Sequence, residues 1–247
     1  MKKITLILIA LCLGILEVYG ENLSPAQIIK KAIKISTPDT MESYYKQTVY
    51  FPNNRKRTFE IKAYSKDGNA KSVMEYIKPA RVKGDKFLFL KGGDIWAYFS
   101  KTGRIRRIAS SAKKSKMQGS DFSYEDMSMM SSLDTDFKIK LSGNADFEGS
   151  DCFVLQLIPV KSISYNKLIV LVDKDKFVIR KITFFKNNKP VKYMVQKDFK
   201  KIKNYLIPYT IKMQSIIKNS KTVIKTLKVK VDIKISDKKF KKNYLSR

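Results

Sequence analysis

The sequence predicts a mostly β protein, an incomplete antiparallel β-barrel of about eleven strands with one short N-terminal helix. Three observations carry this reading. From residue 41 onward, apolar and polar residues alternate with a period of two in short runs. Tight-turn signals such as Asp67-Gly68 and Gly92-Gly93-Asp94 separate those runs, and short turns make antiparallel neighbours. Helical spacing appears only before Pro38 and within a polar break between about 109 and 134.

Taken in order, Ser24-Pro25 opens the helix, since serine can cap and proline fits the first helical position. Ile28, Ile29, Ala32, Ile33 and Ile35 then form one apolar stripe, and Pro38 ends it. Strands follow over Ser43–Phe51, around Phe59–Ala63 and Val73–Ile77, over Phe87–Leu90 and Ile95–Phe99, and over Arg104–Ile108. In the polar break, Ser123 and Asp126 have capping-box-like spacing, which predicts a short helix. Strands resume at about 136–148, 151–159, 166–173, 176–186, 190–200, 205–216 and 221–235. Such a sheet must cover its apolar face. One helix and a small insertion are too little for that, so the sheet must curl on itself around a lined cavity. A membrane-spanning barrel would carry an apolar band on every strand, whereas the lysines here crowd the non-core face.

Composition removes much familiar chemistry. The chain of 247 residues has no histidine and two cysteines. Ser-His-Asp and Cys-His pairs, histidine-ligated metals and a disulfide scaffold are therefore excluded. There is no phosphate-binding loop, no dinucleotide fingerprint and no Gly-x-Ser-x-Gly elbow. Neither a cofactor nor a metal is expected. The Asp173-Lys174-Asp175 run lacks the downstream glycine and glutamate of a calcium loop. Net charge is +29, and of 51 basic residues eight are arginine.

The first twenty residues read as a secretory signal peptide. Lys2 and Lys3 precede an apolar run from Ile4 to Leu16, and Val18-Tyr19-Gly20 offers a cleavage site. An uncleaved anchor and a lipoprotein signal at Cys12 are the alternatives. Cleavage near Gly20 leaves residues 21–247 as one domain, with Cys152 as a lone thiol in a strand-like run, expected to be buried. Export to the periplasm also redirects the meaning of the charge, from nucleic acid, which is not expected as a partner, to anionic lipid or another acidic envelope component. A solvated lysine-rich surface is the plainer explanation.

Four segments carry a family resemblance: Val82–Leu90, Ile95–Phe99, Gly103–Ser110 and Met117–Met127, the last containing Gly119-Ser120-Asp121-Phe122-Ser123-Tyr124-Glu125-Asp126. Together they resemble the bacterial outer-membrane lipoprotein-sorting proteins, the LolA-like family. That resemblance implies a half-open barrel with a small helical lid over an apolar cavity. It also implies a noncatalytic, monomeric carrier that shields lipoprotein acyl chains or phospholipid, with an inner-membrane exporter complex as a further partner. An envelope sensor or docking module on the same fold is the alternative.

For such a cavity the candidate lining is Phe87, Phe89, Trp96, Tyr98, Met117, Phe122, Met127 and Met130, with Met129 in the same cluster. Thioethers and aromatic rings make adaptable apolar contacts. Ordinary core packing is the alternative for each aromatic. Arg104, Arg106 and Arg107 stand near Asp121, Glu125 and Asp126 in sequence. They could latch a strand to the lid, bind a lipid head group, or form solvated ion pairs.

Overall fold

The computed structural model describes residues 23–247. The expected signal peptide, its expected cleavage site and Cys12 lie outside them. Helix α1 (Pro25–Ser36) begins with a complete capping box, Ser24 and Gln27 each bonding the other's backbone N–H. Thirteen strands follow, against the eleven or so expected: β1 (Thr40–Tyr50), β2 (Lys56–Lys66), β3 (Lys71–Lys78), β4 (Lys86–Leu90), β5 (Asp94–Phe99), β6 (Arg104–Arg107), β7 (Phe137–Phe147), β8 (Ser150–Pro159), β9 (Lys167–Asp173), β10 (Ile179–Lys186), β11 (Lys189–Ile202), β12 (Tyr205–Ser215) and β13 (Ser220–Val231). A second helix, α2 (Tyr124–Met129), interrupts them, opened by the Ser123–Asp126 capping box.

All thirteen strands form one antiparallel sheet in the order β6-β5-β4-β3-β2-β1-β13-β12-β11-β10-β9-β8-β7. Every neighbouring pair but one is consecutive in sequence; in the β2–β3 turn the Ala70 N–H donates to the Asp67 carbonyl, and Gly68 and Asn69 between them both take positive φ, as a two-residue turn demands. The exception is the β1–β13 pairing, which joins the first and last strands. β6 and β7 are the two free edges, so the barrel stays open. They are also consecutive in sequence. The segment between them, residues 108–136, must therefore cross the whole inner face from one edge to the other, and it becomes the lid.

The inner face holds the main core. Ile28, Ile29 and Ala32 of α1 pack there with Phe59, Tyr76, Phe87, Val170, Phe184 and Met213. Helix α1 lies against β7, β9 and β12, while α2 rests on β4 and β5. A smaller second core sits on the outer face. There Asp232, at positive φ, ends β13, and Ile235, Phe240 and Leu245 of the C-terminal segment cover Tyr64, Val73 and Leu88, with Trp96 and Tyr98 packed alongside.

Candidate functional site

Inside the curve lies an apolar cavity of about 300 Å³, within the range of small-molecule sites. Its walls come from four sources: Ala32 and Ile33 of α1, Tyr45 and Met74 of β1 and β3, Met194, Ile211 and Ile224 of β11 to β13, and Phe122, Met127, Met130 and Leu133 of the lid. The lining also carries uncharged polar side chains, Ser43, Ser65, Asn69, Ser72, Gln196 and Thr226. No charged side chain lines it, although charged residues make up 30% of the chain. Five of the nine methionines (41, 74, 127, 130 and 194) do, which gives a wall that can repack around different shapes. Tyr45 brings a phenol whose ionisation burial pushes well above its ordinary range. Ser36 contributes a hydroxyl with no partner in the protein.

Two nodes pin the lid over this cavity. At the first, buried Asp121 accepts hydrogen bonds from Ser220 Oγ (2.6 Å), Thr222 Oγ1 (2.9 Å) and Lys116 Nζ (2.7 Å). Its own N–H donates to Thr222 Oγ1 at 2.8 Å. The second node is Asp126, whose side chain is 1% exposed. It caps α2 through the Ser123 N–H, accepts from Tyr165 OH at 2.8 Å, and pairs with Lys192. Lys192 in turn lies over the rings of Tyr165 and Phe184. Burial, with the Asp126 charge beside it, pushes the Tyr165 phenol up. Glu125 adds a further tie, accepting from the Ser164 N–H at 3.1 Å.

The structure sorts the candidates read from sequence. Phe122, Met127 and Met130 line the cavity. Phe87, Phe89, Met117 and Met129 face inward but are buried in the core beside it; the Phe87 ring meets Tyr76 and Phe99 edge-to-face and Tyr124 at a tilt. Trp96 and Tyr98 are not cavity residues. The β5 alternation turns Ile95 and Ala97 inward, so Trp96 and Tyr98 point to the outer core. An arginine latch does not form either. Arg104, Arg106 and Arg107 are exposed on the edge strand β6, and Arg107 pairs with Asp94. Asp121, Glu125 and Asp126 do hold the lid, but to β13, the β8–β9 loop and β11. The sequence reading missed most of the wall, Met41, Tyr45, Met74, Met194 and Ile211 among it, and, in the anchorage of the lid, Lys192. Its signal was a lysine in phase with inward Met194 rather than with the polar face of β11. Cys152 is fully buried, as expected for a structural thiol.

Fold and cavity together define a class: an incomplete β-barrel of the LolA-like fold around an apolar chamber. The chain covers 90% of itself on each of three solved structures and essentially all of theirs. These are a DUF1329 family protein from Desulfovibrio piger (TM-score 0.83, 24% identity, 100% of that chain), a domain named for outer membrane lipoprotein sorting from Vibrio parahaemolyticus (0.83, 22%, 98%) and a LolA superfamily protein from Nitrosomonas europaea (0.76, 22%, 99%). A family model described as that of an uncharacterized protein matches residues 68–247, and the chain belongs to that family. No curated protein matches it.

Proposed function

We propose that this protein is a periplasmic carrier that holds the acyl chains of a lipid or lipoprotein in its cavity and moves them between membranes. The observation that supports it is the uncharged, methionine-rich chamber inside a strongly charged chain. Each methylene of an acyl chain gains about 0.8 kcal/mol on leaving water, so a dry, concave surface with no ionic groups suits such cargo. The uncharged polar side chains in the lining suit an ester or head group. A lid held by a few polar nodes, rather than by continuous strand pairing, can separate to admit a chain without unfolding the sheet. In this reading residues 1–20 are the export signal and the carrier acts as a monomer, with an exporter in the inner membrane as its donor.

The test is titration with a fluorescent fatty acid. The wild-type chain should bind reversibly. Ile211→Glu, which puts a carboxylate in a half-buried part of the wall, should weaken binding at least about tenfold with the thermal midpoint little changed. A wild-type chain that ignores both the probe and phospholipid would sink the carrier reading and favour a docking module with a filled core.

A further inference from the structure

One end of the sheet is built unlike the rest of the surface. The β1–β2, β10–β11 and β12–β13 turns and the β8–β9 loop all fall at this end. The pairing shows it: Tyr50 faces Lys221, Ser215 faces both Lys192 and Ser220, Phe185 faces Lys167, and Phe137 faces Pro159. Among the described residues seven large apolar side chains are exposed, and five of them are here: Ile217 (72%), Val160 (53%), Ile216 (47%), Tyr50 (38%) and Ile158 (36%). Ile216 and Ile217 form the tip of the β12–β13 hairpin, where no fold requirement places them; a tight turn is ordinarily polar. Lys218 and Lys221 flank them in the same hairpin, and the other turns and strand ends of this end carry exposed Arg55, Lys161, Lys186 and Lys189. The acids nearby are few. Asp121 and Asp126 are buried and paired in the two nodes, Asp136 is engaged by Lys161, and Glu125 by the Ser164 N–H, leaving Asp134 exposed.

Protruding isoleucines flanked by lysines match the bilayer interface. The apolar tip enters the acyl boundary while the ammonium groups meet anionic head groups. We infer that this rim docks the protein on an anionic membrane surface, with Ile216 and Ile217 as the inserted wedge. The inference stands apart from what the cavity holds. It nonetheless places the lid at the bilayer, because both pinning nodes attach beside the wedge: Ser220 and Thr222 lie just past it in the same hairpin, and Val191, next to Lys192, accepts the Ile216 N–H.

The experiment uses residues 21–247 and vesicles of phosphatidylcholine with or without phosphatidylglycerol. Ile217→Cys and, at the far end of the sheet, Asn204→Cys each take an environment-sensitive dye; Cys152 is buried and stays unlabelled. On phosphatidylglycerol vesicles the dye at 217 should shift to the blue and the dye at 204 should not. Ile216→Ser with Ile217→Ser should cut vesicle binding by about tenfold. Three results would overturn the inference: no vesicle binding, as for a rim that meets a protein instead; equal shifts at both positions; or binding that survives the double substitution, which would mean adsorption by diffuse charge alone.

Discussion

At the scale of single residues, the Asp126–Lys192 pair is where the chain takes its largest electrostatic risk. Both groups are nearly dry, and desolvating two ions costs most of what their attraction returns. What makes the site tolerable is that Asp126 is saturated by the Ser123 N–H, Tyr165 and Lys192 together. Removing one partner should therefore hurt more than removing both charges. Asp126→Asn keeps the shape and can still accept from Ser123 but strands the Lys192 ammonium, so it should cost about 3–5 kcal/mol. Adding Lys192→Met removes the orphan charge and should recover at least about 2 kcal/mol of that loss. Urea unfolding of the two single variants and the double closes the cycle. A loss below about 1 kcal/mol for Asp126→Asn, or no recovery in the double, would mean that the pair is solvated and does not pin the lid.

At the scale of elements, local chemistry was readable and facing was not. The Ser24 cap, the Ser123–Asp126 capping box, the Asp67-Gly68 turn signal and the strand intervals follow from side chains a few residues apart. Two opposed faces of a period-two strand look alike in sequence, however, and which is inner depends on what covers each. For β5 the decision rests on Ile235, Phe240 and Leu245, more than a hundred residues downstream. The same limit separated the arginines of β6 from the carboxylates of α2, which sequence places close together and the fold turns apart. The outer core makes a test available, because Trp96 is the sole tryptophan and Lys242 sits 3.7 Å from its ring centre. Deleting residues 233–247 should shift Trp96 emission to the red and lower stability, whereas filling the cavity with a fatty acid should leave the emission where it is. Quenching of Trp96 by cavity cargo would place that ring on the wrong face.

At the scale of the whole molecule, the protein is a basic shell around an interior of unusually buried phenols. Tyr45, Tyr76, Tyr124 and Tyr165 all have ionisation raised above the ordinary value of 10.0, chiefly by burial. For Tyr76 the neighbouring Tyr45, Tyr124 and Asp85 add to it, and for Tyr165 the Asp126 charge does. The sign follows directly. A raised value means that the folded state keeps its protons where the unfolded chain loses them, so ν for the native state exceeds that for the unfolded state and stability falls as pH rises. The contribution is fully present below the unfolded value near 10 and is lost progressively above it. Each such phenol lowers stability by up to about 1.4 kcal/mol per pH unit above the unfolded value until it ionises, against a typical total stability of about 5–15 kcal/mol. The expected record is a chain stable through neutral and mildly alkaline pH that then unfolds cooperatively. Part of its tyrosinate absorbance should be withheld until the circular dichroism transition and appear with it. Should all the phenols titrate near pH 10 before any loss of structure, the interior would be open to water, and the dry chamber on which the carrier reading depends would not exist.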